Sequence, residues 1–89
     1  MSKMVLAFTE NAREDYVYWQ KTDKKIVKKI NQLIKVIQRT PFEGIGKLEP
    51  LKYDLAGYWS RRIDHEHRLV YQVIDNELFI YACRYHYDS

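Results

Sequence analysis

The sequence predicts an α+β domain with the element order βααβββ, in which two N-terminal helices pack on one face of an antiparallel sheet. Three observations predict this fold. Apolar residues recur at helical spacing in the first half of the chain, β-branched and aromatic residues dominate from Trp59 onward, and a stretch rich in proline and glycine separates the two parts. A chain of 89 residues has room for one domain only, so we expect residues 1–89 to form a single unit.

The first strand and the first helix are separated by a change of pattern at Thr9. Residues 4–8 form a short apolar run, whose length favours a strand over a helix. Thr9 can then cap a helix predicted over residues 10–21, with apolar positions at Ala12, Tyr16 and Trp19.

The second helix is strongly amphipathic. Asp23 is its predicted cap, and the helix is expected to end near Thr40. Its apolar face consists of Ile26, Ile30, Leu33, Ile34 and Ile37. Most of its remaining surface consists of Lys24, Lys25, Lys28, Lys29 and Lys35. These lysines are either a solvated face or a surface that contacts rRNA phosphates or an acidic partner.

A loop and three strands complete the predicted fold. Residues 42–58 contain glycines and a proline and should form a loop with at most a brief ordered segment. Strands are predicted over residues 59–63, 68–74 and 78–85, and Asp75-Asn76 marks a turn between the last two. One sheet face should pack against the helices, which leaves the other face free.

Composition narrows the class of protein. Fifteen Lys and Arg against twelve Asp and Glu give a net charge of +3, which favours anionic partners such as nucleic acid. Cys83 is the single cysteine, and three scattered His lack paired ligand spacing, so the sequence predicts neither a disulfide, nor a metal site, nor a cofactor. The apolar run at residues 4–8 is too short for a signal peptide or a membrane span, and a cytoplasmic protein is expected.

Two strands could place arginines on the free sheet face. Alternation along residues 68–74 puts Arg68 on the opposite side from Leu69 and Tyr71, where it could bind a phosphate or form an ordinary surface ion pair. One of Arg61 and Arg62 must point the same way, because neighbours on a strand alternate. Two converging guanidinium groups would suit an RNA backbone.

Metal-free RNA cleavage needs a base for the 2′-OH, a cation for the phosphorus oxygens and an acid for the 5′ leaving oxygen. Glu49, Arg68 and His86 could supply one each. His65 and His67 are alternative candidates for the general acid. Strand alternation places the His67 side chain on the core side of the sheet, and both histidines rank below His86. As carboxylates alone, three others are equal to Glu49, namely Glu43, Glu66 and Glu77.

The connection between the last two strands decides whether Arg68 and His86 share a face. With a two-residue turn, Ile74 would pair with Glu77 and a regular ladder would place His86 on the opposite side from Arg68. Joint action therefore requires a three-residue connection, a bulge in the last strand, or a chain that leaves the sheet before His86. Asn76 suits the left-handed backbone that a three-residue connection often needs.

With these residues the chain resembles the YoeB toxins, a branch of the RelE-like ribonuclease toxins of bacterial toxin–antitoxin systems. The likeness covers nearly the whole chain. Its most specific stretches are Arg39-Thr40-Pro41-Phe42-Glu43-Gly44, Glu49-Pro50-Leu51-Lys52, Trp59-Ser60-Arg61-Arg62-Ile63, Glu66-His67-Arg68-Leu69-Val70-Tyr71 and Ala82-Cys83-Arg84-Tyr85-His86-Tyr87.

The resemblance implies a fold like that of small microbial RNases and cleavage of mRNA in the ribosomal A site, which leaves a 2′,3′-cyclic phosphate. It implies that Glu49 is the general base, that Arg68 stabilises the phosphate, and that His86 is the general acid. Residues that support the site or hold substrate would be Lys52, Arg62 and Tyr87.

Three partners follow from the same resemblance: mRNA, the ribosome with its rRNA, and a YefM-like antitoxin that blocks the site. Whether the chain also forms a homodimer is left open. Asp88 and Ser89 extend beyond Tyr87, where related toxins commonly end, so a role for a terminal tyrosine carboxylate does not carry over to this chain.

Two other functions compete with the ribosome-dependent ribonuclease. The first is a non-catalytic module of the same fold that binds RNA, the ribosome or an antitoxin. A binding module needs cations but no matched base and acid, so the joint presence of Glu49, Arg68 and His86 favours the enzyme. The second is an enzyme acting on free RNA, which is less favoured because the chain shows no base-reading module.

Overall fold

A computed structural model describes residues 4–85, and it confirms the α+β class with two N-terminal helices. His86 and Tyr87 lie outside the described residues. The elements are β1 (Val5–Phe8), α1 (Glu10–Thr22), α2 (Lys24–Arg39), β2 (Glu49–Pro50), a 3₁₀ turn (Tyr53–Leu55), β3 (Trp59–Arg62), β4 (Arg68–Ile74) and β5 (Glu77–Ala82). No helix within residues 4–85 is long and apolar enough to cross a membrane.

Both predicted helix caps are confirmed. The Thr9 hydroxyl accepts a hydrogen bond from the Ala12 N–H at 3.1 Å, and the Asp23 carboxylate accepts one from the Lys25 N–H at 3.0 Å. Each side chain satisfies a backbone donor that the helix itself leaves unpaired. The two helices therefore begin at residues that the sequence specifies locally.

The prediction of an entirely antiparallel sheet is wrong at one edge. The strand order is β1-β5-β4-β3-β2, and β1 runs parallel to β5 while the other pairs are antiparallel. The start of α1 explains the direction, because the Thr9 hydroxyl donates to the Tyr81 carbonyl at 2.8 Å, near the end of β5. An antiparallel β1 would start α1 at the opposite end of the sheet, away from Cys83, whose thiol donates to the Ala12 carbonyl.

The sheet separates two clusters of apolar side chains. On its first side, here called the helix face, both helices pack against the sheet residues Leu69, Tyr71, Leu78 and Ile80. On its second side, here called the open face, Leu51 packs on Val70 and Ala82, with Leu55, Tyr58 and Tyr81 around them. The expectation of a free second face is therefore only partly met, because the segment after β2 covers its middle.

The turn between β4 and β5 is not the three-residue connection that was one of the alternatives predicted from the sequence. Ile74 pairs with Glu77, so the connection has two residues. Asp75, rather than Asn76, takes the left-handed backbone, with a φ of 55°.

The last strand contains a bulge, which the sequence argument offered as one alternative. Tyr71 pairs with Ile80 but Val70 pairs with Ala82, so Tyr81 is the inserted residue. The bulge moves Ala82 onto the open face with Val70. The strand also ends at Ala82 instead of continuing to Tyr85, so the chain leaves the regular ladder before His86 as well.

Candidate functional site

Arg68 lies on the open face, as its alternation along β4 predicts. It is 4% exposed, and its guanidinium group is held from two sides. The Nε donates to the Ser60 hydroxyl at 3.0 Å, and Nη2 donates to the Lys47 carbonyl at 2.9 Å. These contacts fix the orientation of the guanidinium group before any substrate binds.

Glu49 lies next to Arg68. One carboxylate oxygen, Oε1, is 3.0 Å from Arg68 Nη2, and the Glu49 side chain is half exposed. The short strand β2 produces this contact, because Glu49 pairs with Ser60 and Ser60 pairs with Val70 on one face of the sheet. The alternative of a surface ion pair is met only in part, because Arg68 does form an ion pair but is buried. The pair also singles out Glu49 among the carboxylates that the sequence ranked equally.

The two arginines of β3 point in opposite directions. Arg62 pairs with Arg68 across the ladder and lies exposed on the open face. Arg61 is fully buried on the helix face. The prediction that one of the two shares a face with Arg68 is confirmed, and Arg62 is that residue.

Arg61 fastens the loop that follows α2. Its Nη1 donates to the Ile45 carbonyl at 2.9 Å, and its Nη2 donates to the carbonyls of Thr40 and Glu43 at 3.0 and 2.8 Å. Its Nε donates to the Tyr71 hydroxyl, which donates in turn to the Pro41 carbonyl at 2.6 Å. The loop that leads to Glu49 is thus tied to β3.

Lys52 is exposed directly after Leu51, whose side chain is buried against the open face. Its backbone carbonyl accepts the Leu55 N–H at 3.1 Å, which starts the 3₁₀ turn. The structure therefore places Lys52 two residues beyond β2, on the segment that covers the open face.

The competing histidines differ in their surroundings. His65 is exposed in the turn between β3 and β4, whereas His67 is 8% exposed and points toward α1, as its alternation predicts. The His67 ring packs edge-on against Trp19, with 4.7 Å between ring centroids. His86, the preferred general acid, and Tyr87 are outside the described range, so their roles stay predictions.

Two acidic groups have shifted pKa values: Asp15, which is buried, and Asp64, which is partly buried. Burial raises the pKa of Asp15, although the hydrogen bond from the Cys83 N–H opposes this shift. For Asp64, burial is outweighed by hydrogen bonds from the His67 and Glu66 N–H groups, which lower its pKa. Asp64 therefore stays a carboxylate that orders the β3–β4 turn.

Sequence reasoning missed the polar residues that support the site. Ser60 was not considered, and Arg61 was considered only as a possible phosphate contact, whereas its partners show that it holds the loop after α2. Alternation assigns Ser60 to the same face as Arg68, and this signal could have found it. Within residues 4–85, no group of three or more His, Cys, Asp or Glu could hold a metal ion.

Comparison with known proteins gives one consistent result. A family model described as "YoeB-like toxin of bacterial type II toxin-antitoxin system" matches residues 8–87. The chain is similar to "Toxin YoeB" of Escherichia coli (strain K12), with 66% identity over 84 residues, which cover 94% of this chain and 100% of the relative.

Two solved structures from Staphylococcus aureus are similar along their whole length. A chain from the structure of a YoeB dimer superposes on this chain with a TM-score of 0.90 and 56% identity. A chain from a YoeB–YefM complex superposes with a TM-score of 0.87 and 55% identity. In both cases the match covers 97% of this chain and 100% of the other chain. The geometry of Glu49, Ser60, Arg62 and Arg68 therefore lies on a fold shared with these toxins.

Proposed function

Because the chain belongs to the YoeB-like toxins of bacterial type II toxin–antitoxin systems, we propose that it is an endoribonuclease that cleaves mRNA in the ribosomal A site. The observation that carries the proposal is the contact between Glu49 and Arg68 on the open face, 3.0 Å apart. A base beside a fixed cation is the pair that attack of a 2′-OH on its neighbouring phosphate requires.

The proposed reaction divides the chemistry among three side chains. Glu49 takes the proton of the 2′-OH, whose oxygen then forms a bond to phosphorus. Arg68 stabilises the negative charge that builds up on the phosphorus oxygens. His86 gives a proton to the 5′-oxygen as its bond to phosphorus breaks, which leaves a 2′,3′-cyclic phosphate.

The buried position of Arg68 suits this role. Its contacts with Ser60 and Lys47 hold the guanidinium group in place, so little reorganisation is needed when charge develops. Glu49 is half exposed, and a substrate hydroxyl can therefore reach its carboxylate. A phosphate that binds Arg68 competes for the cation with Glu49, which frees the carboxylate to accept a proton.

Binding to the ribosome would use exposed cations. Arg62 shares the open face with Arg68, and Lys52 lies on the segment that covers part of this face. The lysines of α2 form a separate basic surface, with a cavity lined by Lys25, Lys28, Lys29, Asn31, Gln32 and Lys35. Such a surface is suited to rRNA phosphates, because each neutralised phosphate releases counterions. Tyr87 is proposed as a further substrate-binding residue, and this role rests on the resemblance to the family alone.

The proposal includes a cognate antitoxin of the YefM type. It rests on family membership and on the similarity to the chain in the YoeB–YefM complex. A homodimer is proposed as a second assembly, on the similarity to the YoeB dimer.

The test is to map cut sites on the same mRNA when it is translated and when it is free. We expect cuts on the translated mRNA alone, and we expect Glu49→Gln and His86→Gln each to abolish most of the cleavage. Glu43→Gln is the matched control, since Glu43 is an exposed carboxylate of the same loop. Ribosome binding without cuts would indicate the non-catalytic module instead, and equal cutting of free RNA would remove the ribosome from the proposal.

A further inference from the structure

Residues 83–85, which follow β5, are held mostly by side chains and not by a regular ladder. Cys83 is fixed on both sides of its backbone: its N–H donates to Asp15 Oδ2 at 3.0 Å, and its carbonyl accepts from Trp19 Nε1 at 2.8 Å. Both partners belong to α1. The segment that leads to His86 is therefore directed by helix α1 after the last strand has ended.

Two consecutive residues hold Tyr85: His67, the last residue of the β3–β4 connection, and Arg68, the first residue of β4. The Tyr85 N–H donates to His67 Nδ1 at 2.8 Å, and the Tyr85 carbonyl accepts from the Arg68 N–H at 3.0 Å. Tyr85 has a φ of 71°, a left-handed conformation that few residues other than glycine adopt without cost. Such a conformation persists only where its surroundings hold it, and these two hydrogen bonds do so.

The contact to Tyr85 determines the tautomer of the neutral His67 ring. A backbone N–H can only donate, so His67 Nδ1 must be an unprotonated acceptor and the ring proton of the neutral form lies on Nε2. Nε2 is 3.7 Å from the Glu66 carboxylate. The ring is packed against Trp19 and is 8% exposed, so His67 is poorly placed to reach a substrate itself.

The backbone of His67 is also held by hydrogen bonds within the β3–β4 connection. Its N–H donates to Asp64 Oδ1 at 2.7 Å, and its carbonyl accepts the N–H groups of Ile63 and Asp64. Arg68 follows directly and contacts Ser60 and Glu49. The same short segment thus carries the proposed phosphate-binding residue and the acceptor that holds the residue before His86.

We propose that His67 is a positioning residue: its Nδ1 holds the backbone of Tyr85, and the rate of proton transfer by the next residue in the sequence, His86, depends on this hydrogen bond. This inference rests on the proposed function, in which His86 is the general acid. It assigns to His67 a part in the reaction that is distinct from proton transfer to RNA.

The test compares His67→Asn with His67→Leu. The two replacements have nearly the same shape and both lack the imidazole ring, but only asparagine offers an oxygen near the position of Nδ1. Circular dichroism first shows that both variants fold. Hydrogen exchange of the Tyr85 amide, followed by NMR, then reports the anchor, and single-turnover cleavage on saturating ribosomes reports the chemical step.

We expect His67→Leu to raise the Tyr85 exchange rate and to lower the single-turnover rate, each by about tenfold, because one hydrogen bond to a fixed backbone is lost. His67→Asn should stay within about threefold of the unchanged protein in both measurements. The concentration of ribosomes that gives half-maximal cleavage should not change in either variant. If His67 had only a structural role, the Tyr85 exchange rate and the cleavage rate would change to the same extent in both variants.

Two results would overturn the inference: equal Tyr85 exchange in the leucine and asparagine variants, or equal cleavage rates in the two. Failure of the proposed function is seen separately, as an absence of ribosome-dependent cleavage by the unchanged protein. In that case the role of His67 in the reaction is overturned as well, while the Tyr85 exchange still shows whether His67 holds the chain.

Discussion

The two faces of the sheet use the same residue type in opposite ways, and the neighbours Arg61 and Arg62 show it most directly. Arg61 is fully buried on the helix face, where it donates to three carbonyls and to the Tyr71 hydroxyl. Arg62 is exposed on the open face, across the ladder from Arg68. On one face cations hold the chain together, and on the other they are available to a ligand.

The arginines also differ in how their charge is compensated. Arg68 has a carboxylate partner in Glu49, whereas no carboxylate within residues 4–85 forms a salt bridge with Arg61, whose positive charge is met by carbonyl dipoles. In the proposed reaction a substrate phosphate replaces the carboxylate beside Arg68. Nothing can replace the carbonyls of the loop without opening it, and the face of the sheet therefore decides which role an arginine can take.

The largest expected effect concerns Cys83, because the reactivity of its thiol tests whether the helix face excludes solvent and reagents. Burial, together with the charge of Asp15, raises the pKa of the Cys83 thiol to about 12. An unfolded cysteine has a pKa of about 8.5, so at pH 8 alkylation of the folded protein should be slower than that of the urea-unfolded protein by more than about a thousandfold. Mass spectrometry after timed iodoacetamide treatment measures both rates.

The same shift predicts a loss of stability in alkali. Between these two pKa values the folded protein binds more protons at Cys83 than the unfolded protein does, so its contribution to stability falls as the pH rises through this window. Native alkylation within tenfold of the unfolded rate would show that the helix face opens readily.

The second largest effect is expected for Arg61→Met. The substitution removes the Arg61 donor from three loop carbonyls and from the Tyr71 hydroxyl, although the Thr40 and Glu43 carbonyls keep a second donor. We expect the free energy of unfolding to fall by about 3 kcal/mol. Burial raises the pKa of Tyr71, whose hydroxyl therefore keeps its proton and its hydrogen bond to the Pro41 carbonyl. Urea unfolding followed by tryptophan fluorescence gives the value, and a loss below that of Arg62→Met would contradict the comparison.

Arg68→Ala should act on the reaction instead. We expect single-turnover cleavage on saturating ribosomes to slow by about a hundredfold, because the cation is most useful when charge builds up on the phosphate. Binding to ribosomes should weaken much less. An unchanged single-turnover rate would reduce Arg68 to a binding residue.

Gly46→Ala tests whether the close packing of the loop backbone against Arg61 and Leu33 contributes to stability. Gly46 has a φ of 93°, and an added Cβ would lie 3.1 Å from Leu33 Cδ2 and 3.2 Å from Arg61 Cβ. We expect a loss of about 1.5 kcal/mol in the free energy of unfolding. Gly57→Ala is the matched control, because its φ is 94° but its added Cβ meets only the flexible Gln72 amide at 3.4 Å. Equal losses in the two variants would mean that backbone conformation alone causes the effect.

The smallest effect on stability is expected for Arg62→Met. An exposed strand residue contributes little, so the free energy of unfolding should change by no more than about 0.5 kcal/mol. Its loss should still raise the ribosome concentration needed for half-maximal cleavage by about threefold, because one cation near the phosphate is removed. Unchanged affinity would remove Arg62 from the substrate-binding surface.

Much of this arrangement could be predicted from the sequence. The caps Thr9 and Asp23 fix where the helices begin, and alternation along β4 correctly places Arg68 on the face opposite the helices. The parallel pairing of β1 with β5 could not be predicted, since it depends on where α1 must start relative to a strand about 70 residues away. The contact between Glu49 and Arg68 was equally out of reach, because other carboxylates fit the sequence argument as well.

The sequence by itself determined the α+β class, the two capped helices, the residue types that the proposed reaction uses and the likeness to the YoeB toxins, because these depend on local propensity, periodicity and motifs. The tertiary structure decided which arginine faces the core, which carboxylate contacts Arg68, and how Tyr85 is held by His67. Each of these depends on pairing between distant segments: a register shift of one residue, such as the bulge at Tyr81, changes the face on which every later side chain lies.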